Sequence, residues 1–246
     1  MYHDLVDAGR DDASGFAGAA AGRYKLTVDQ FDDHLRALAR RLDVPPCLTF
    51  DDGGASAMRV ADRLEYAGWR GAFFVTTGYV GRQGFLARHE VIELRRRGHA
   101  IGSHSWSHPA AMSRLSQADL VEEWRRSVAE LSAILGETIL TASVPGGSYS
   151  RRVGDAAAAA GVRVLFTSRP TAGCRRRGAL TIIGRYAVRR TTSAERVGAV
   201  AAGAVLPRIT QLAWWDAKAA LKSIAAATGA RPGRIRPPHG RSAAPA

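Results

Sequence analysis

The sequence predicts an α/β domain in which βαβ units wind around a parallel sheet. Three observations lead there. Short apolar runs alternate with stretches of helical periodicity, a glycine ends most of the helical stretches, and the chemistry-bearing residues cluster just after the apolar runs. A length of 246 residues accommodates one large α/β barrel or two small domains. An apolar content of 46% is enough to fill a core.

The elements follow in order. Residues 1–24 are rich in Gly, Ala and Asp, lack periodicity, and are expected to form a flexible N-terminal arm. Val28, Phe31, Leu35 and Leu38 recur at steps of three and four and predict a helix. Cys47–Phe50 is the first apolar run and ends in Asp51-Asp52-Gly53. A helix with Val60, Leu64 and Ala67 on one face then stops at Gly68. Ala72–Thr76 reads as a buried strand, His89–Arg97 as a helix closed by Gly98, and Ala100–Ser103 as a strand. Ser116 with Asp119 three residues on has capping-box spacing and opens a long helix that ends at Gly136. Thr141–Val144, Val162–Thr167 and Leu180–Ile183 complete the strands, with a helix around Ala156–Ala160. From Gln211 to Ala227 the chain predicts a basic amphipathic helix. The domain therefore spans 25–228, and 229–246, rich in Pro, Arg and Ala, is expected to be a disordered basic tail.

The formal net charge is +13, and residues 202–246 hold seven Lys or Arg against one acid. That balance favours phosphate-bearing partners, although an arginine used as the default solvated residue has the same effect. No nucleic-acid-binding module is visible, and no nucleic acid is expected. The basic end with Trp214 and Trp215 suggests peripheral association with anionic membranes. The acidic, non-apolar start lacks the pattern of a secretory leader, so a cytoplasmic location is expected. Cys47 and Cys174 lie far apart and read as free thiols.

Three clusters at strand ends carry the chemistry. Asp51-Asp52 offers two carboxylates, one able to bind a cation and one free to move a proton; a plain Asp-Gly turn is the simpler explanation. His104-Ser105-Trp106-Ser107-His108 has two imidazoles four residues apart, which on a helical turn face one way at metal-ligand spacing. Taken with a carboxylate at a second strand end, the pair is far more specific than two surface histidines. Such a set leaves open positions on a zinc-like ion. Ser143-Val144-Pro145-Gly146-Gly147 is a stiff, then close-approaching loop, whose N–H groups could face an oxyanion.

With these residues in place, the chain resembles the polysaccharide deacetylase family (NodB homology domain, carbohydrate esterase family 4) over roughly residues 45–190. Thr49–Gly53 matches that family's TFDDG motif, and His104–His108 its His-Ser/Thr-x-x-His motif. The resemblance implies a distorted (β/α)7 barrel in a single domain. It further implies Asp51 as general base, and Asp52, His104 and His108 as ligands of a divalent metal, zinc or else cobalt. Pro145 and Gly146 would line the oxyanion site. The implied function is metal-dependent removal of an N-acetyl group from an amino-sugar glycan or a lipid- or nucleotide-linked glycan precursor. A deformylase or other C–N hydrolase, and a degenerate sugar-binding protein, are the alternatives on the same fold.

The sequence departs from the family at two places. Ser143 stands where the family's third motif has an arginine that orients the catalytic carboxylate; Arg169 and Arg185 are the nearby cations able to take its place. The family's late histidine, which protonates the leaving amine, has no counterpart. Tyr186 is a candidate polar replacement. His3, His34, His89, His99 and His239 are all expected to lie away from the site, leaving Asp51, as both base and acid, or else solvent to protonate the leaving amine.

Overall fold

A computed structural model describes residues 1–227; the expected tail at 229–246 lies outside the described residues. The strands are β1 (Leu48–Phe50), β2 (Gly71–Val75), β3 (Ala100–Ser103), β4 (Thr141–Ser143), β5 (Val164–Phe166), β6 (Cys174–Arg177) and β7 (Leu180–Ile183). They form one sheet in the order β1-β2-β3-β4-β5-β7-β6. All neighbours are parallel except the β6–β7 hairpin. The helices are the short α1 (Ala19–Gly22), then α2 (Val28–Ala39), α3 (Ala57–Tyr66), α4 (Arg88–Arg96), α5 (Gln117–Leu135), α6 (Arg151–Ala159), α7 (Ala194–Ala201) and α8 (Val205–Ala227). This is the distorted (β/α)7 barrel expected from the sequence, with the sheet curled into a partly open half-barrel.

Local signals explain most of the elements. Thr27 and Gln30 form a reciprocal capping box at the start of α2, and Ser116 accepts from the Asp119 N–H at the start of α5. Gly136 ends α5 in the left-handed region, at φ 69°. The apolar faces meet in the core: Phe31, Leu38, Val60 and Leu64 pack outside Phe50 and Phe73, while Leu120, Trp124, Val153 and Ala157 cover β4 and β5. Strand β6 was not expected, because Cys-Arg-Arg-Arg carries no apolar alternation; it is an exposed edge that pairs only with β7.

Residues 1–24 correct the expectation of a loose arm. Tyr2 N–H donates to the Thr49 carbonyl (2.8 Å), and Asp51 N–H donates to the Tyr2 carbonyl (3.1 Å), so Tyr2 pairs in parallel with Phe50. On its other side the segment bonds to the chain after β7: the Met1 amine reaches the Tyr186 carbonyl (2.9 Å), and Val188 N–H reaches the Met1 carbonyl (2.9 Å). The segment thus closes the gap between β7 and β1. Burial of Tyr2, Leu5 and Val6 supplies the driving force that composition alone concealed.

The rest of the segment is cinched by Lys25. Its buried ammonium donates to the carbonyls of Asp11 (2.7 Å), Ser14 (2.7 Å) and Phe16 (2.6 Å). Asp4, also buried, accepts from Ser14 (2.6 Å) and Ser56 (2.8 Å), and a side chain on Gly54 would collide with it. Burial pushes the Asp4 carboxyl up to about 6, against the hydrogen bond from Ser14.

Helix α8 begins six residues earlier than the predicted Gln211, at Val205. Trp214 stays 44% exposed with the Arg189 guanidinium 3.8 Å from its ring centroid, whereas Trp215 packs against Gly147. The two tryptophans therefore do not share one outward surface. No single helix among the described residues is long and apolar enough to cross a membrane.

Lys25→Met should strip three buried carbonyls of their shared donor and lower stability on the order of 3 kcal/mol, read by urea unfolding. Proteolysis in the 11–16 segment should accelerate in parallel; an unchanged urea midpoint would show that the carbonyls find water instead.

Candidate active site

The site stands at the C-terminal rim of the barrel strands, where α/β barrels collect their functional groups. Asp51 and Asp52 follow β1 directly, and Asp52 adopts a left-handed backbone, at φ 76°. That turn sends the two carboxylates different ways. Asp52 Oδ1 lies 3.4 Å from Nε2 of His104 and 3.4 Å from Nε2 of His108. The three donor atoms lie within 4.8 Å of one another. Tetrahedral ligands about 2.0–2.1 Å from a zinc ion are spaced about 3.4 Å apart, so the spacing fits. Asp52 Oδ1 is also buried with no hydrogen-bond partner among the described residues. A buried carboxylate oxygen left so is costly unless a cation meets it. The residues present therefore fit a divalent metal.

The histidine motif reaches this geometry without the expected helical turn. Residues 104–109 are irregular, and Ser105 and His108 both take positive φ, 65° and 55°. Side chains from β3 and α5 replace the helix as the support. Glu123 of α5 accepts from the N–H groups of Trp106 (3.1 Å) and Ser107 (2.9 Å) and from the Ser107 hydroxyl. Ser103 holds the Ser105 N–H (3.1 Å), and Ser105 in turn accepts from the His108 N–H (3.1 Å). His104 Nδ1 bonds to the Ser143 carbonyl (3.0 Å), which fixes the tautomer with Nε2 free to bind a cation. Phe16 packs on the His108 ring at 4.5 Å, so the Lys25 clamp reaches the site through this aromatic contact.

Asp51 points to the other partner. Arg185, just past β7, meets it with two bonds, Nη1 to Oδ1 (2.8 Å) and Nη2 to Oδ2 (2.8 Å). Both side chains are almost fully buried. Ser143 Oγ accepts from Arg185 (2.6 Å) and donates to Asp51 (3.2 Å). Of the two cations considered from sequence, Arg185 takes the place left by Ser143. Arg169 instead lies exposed, 3.4 Å from Asp216. Burial pushes the Asp51 carboxyl up, but the charges of Arg185 and His104 outweigh it and bring the group to about 2.

Pro145 and Gly146 stand at the same rim, two and three residues beyond Ser143; Gly146 is left-handed at φ 57°, near the Ala110 carbonyl. Tyr186 lies off the candidate site residues, in a groove beneath α8 with the Arg208 guanidinium 5.4 Å from its ring centroid. His99 is at the opposite end of the sheet, bonded to Glu65 and Gly71, and His34 bonds to Tyr2 and Thr192.

His3, which the sequence reading set apart from the site, lies beside it. The Tyr2–Phe50 pairing brings it into register opposite Asp51. Its ring packs on Tyr24 at 4.8 Å, and Nδ1 is buried with no partner among the described residues. Burial lowers its pKa, while the carboxylates of Asp52 and Asp51 pull it back up. The signal was long-range: nothing near residue 3 reveals that the N-terminus pairs with β1.

Residues 45–165 match the sequence model of the family described as polysaccharide deacetylase. That match places residues 45–165 in the polysaccharide deacetylase family. Solved structures agree in fold. A polysaccharide deacetylase from Bacillus cereus superposes with a TM-score of 0.68 at 18% identity, over 81% of this chain and 67% of that one. IcaB from Ammonifex degensii gives 0.65 at 22% identity, over 82% and 95%. The deacetylase PplD from Streptococcus pyogenes, solved in complex with acetate, gives 0.61 at 21% identity, over 79% and 93%.

The Asp51–Arg185 pair generates two expectations. A carboxyl lowered from 3.8 to about 2 adds stability that is complete above pH 3.8 and is lost as pH falls toward 2. Arg185→Ser should leave the buried Asp51 without its cation and cost about 3–5 kcal/mol in urea unfolding at pH 7. Adding Ser143→Arg to that variant should recover much of the loss; no recovery would mean that position 143 cannot present a cation to Asp51.

Proposed function

We propose that this protein is a metal-dependent hydrolase that removes an N-acetyl group from an amino-sugar glycan or glycan precursor. One observation carries the reading: a carboxylate held ionised by Arg185 stands beside three donor atoms that converge at metal-binding spacing. A purely sugar-binding protein has no use for a buried carboxylate oriented by two bonds. Family membership supports the substrate class.

Asp52, His104 and His108 would hold the ion. Two imidazoles and one carboxylate suit zinc, and cobalt is the second choice. When bound, the ion would polarise the acyl carbonyl and acidify a water molecule. Asp51 accepts the proton of the attacking water, and Arg185 and Ser143 hold its carboxylate in place for that transfer. The Gly146 N–H faces the oxyanion as charge develops. The C–N bond then breaks, and the amine nitrogen takes a proton as it leaves.

His3 supplies that proton in this reading. This assignment leaves Asp51 to act as base alone and gives the leaving amine a separate proton donor. The register opposite Asp51 and the unpartnered ring nitrogen support the assignment.

Acetate release from N-acetylglucosamine oligomers by the metal-loaded protein tests the reaction; release of formate from N-formyl sugars in place of acetate would favour the deformylase alternative. Asp52→Asn, His104→Ala and His108→Ala should each lose bound metal. Asp51→Asn and His3→Ala should keep it while losing ~10²–10⁴-fold in turnover. Full activity in His3→Ala would return the acid role to Asp51 or to solvent.

A further inference from the structure

A groove of about 740 Å³ runs beneath α8, within the range of about 300–1,000 Å³ usual for ligand sites. Its lining meets the barrel rim through Arg185, the partner of Asp51, and through Trp215, whose ring packs against Gly147, the residue after the candidate oxyanion pair. From there it passes Arg185 and Tyr186 and descends along the outside of the barrel. Its far walls are Leu38, Leu48, Val188, Val197 and Val200.

The charge of this groove is one-sided. Its lining includes Arg185, Arg189, Arg196 and Arg208 and no aspartate or glutamate. Arg185 is neutralised by Asp51, but none of the other three makes an ion pair among the described residues. Arg189 stacks on Trp214, and Arg208 lies over Tyr186, so both guanidinium groups are held at the apolar wall. Lys218 adds to the field: burial first, then the charges of Arg189 and Arg23, lower its pKa. On the other side of α8, Val205, Leu206 and Ile209 stand exposed.

Apolar walls and unneutralised cations, joined to a catalytic rim, describe a site for an aliphatic chain that carries a phosphate. We infer that the groove under α8 binds the lipid-phosphate tail of the substrate, while the amino sugar it carries enters the barrel rim. This inference rests on the proposed reaction, since it names what the sugar is attached to. The chain lies along Val197 and Val200, and the phosphate meets Arg189 and Arg208. An uncharged glycan polymer would leave both the cations and the apolar walls without a partner.

The test is isothermal titration of the full chain with decyl phosphate below its critical micelle concentration. Decyl phosphate is expected to bind, with decanol and inorganic phosphate each about tenfold weaker or worse, on the scale of a lost charged contact. Val200→Trp fills the apolar end, and the double variant Arg189→Gln with Arg208→Gln removes the charge. Each should weaken decyl phosphate binding by about tenfold. The arginine pair makes no ion pair whose loss would unfold the chain, so it remains informative if Val200→Trp fails to fold. Equal binding of decanol, or unchanged affinity in the arginine variant, would overturn the inference. So would binding to phosphatidylglycerol vesicles alone, which would make α8 a surface for the bilayer. Acetate release without groove-dependent decyl phosphate binding would defeat this inference and leave the deacetylase reading intact. Groove-dependent binding with no acetate released from any glycan would do the reverse.

Discussion

The buried pair of Asp51 and Arg185 is the constraint on which the other arrangements depend. Moving either charge out of water alone would cost several kcal/mol, so each needs the other. Asp51 follows the first strand of the sheet and Arg185 follows the last parallel one, and the two are 134 residues apart in the chain. Their contact therefore ties the ends of the curled sheet together across the barrel. The Thr49 and Ser143 hydroxyls and the Thr167 carbonyl accept the guanidinium's remaining bonds. Ser143 then serves twice, since its carbonyl also orients His104. One small residue, through its hydroxyl and its carbonyl, so couples the carboxylate half of the site to the imidazole half.

Most of this fold was legible in the sequence because its signals are local. Six of the strands were apolar runs, and the caps at Ser116 and Gly136 behave as their chemistry requires. The Asp52, His104 and His108 cluster was legible for the same reason: both motifs are short, and a barrel delivers all strand ends to one rim. What stayed hidden was non-local or unpatterned. Residues 1–6 look featureless until β1 and Tyr186–Val188 are there to pair with them. His3 went with them, as did the clamp that Lys25 places on the 11–16 segment. The helical turn expected for the histidine motif failed on a different ground. The spacing of two ligands constrains where their side chains meet, and a loop braced by Glu123 satisfies that as well as a helix does.

The cation that faces Asp51 comes from position 185 and not from position 143. The function of the arginine is to present two donors to one carboxylate, and the ends of β4 and β7, with β5 between them, both reach that point. Reading position 143 alone would have suggested an inactive protein. The orientation of Asp51 argues the contrary.

The hairpin strand β6 has its own consequence. A half-barrel leaves one sheet edge uncovered, and an uncovered edge is a template on which a second molecule can add a strand. Here that edge presents Arg175, Arg176 and Arg177 in succession, all exposed, with Asp155 meeting only the last of them. A second copy approaching edge to edge would set a row of guanidinium groups against an identical row. The run that broke the apolar pattern thus keeps the sheet finite: self-addition is discouraged by repulsion, and the protein can stay dispersed at concentrations where a neutral edge would seed fibres.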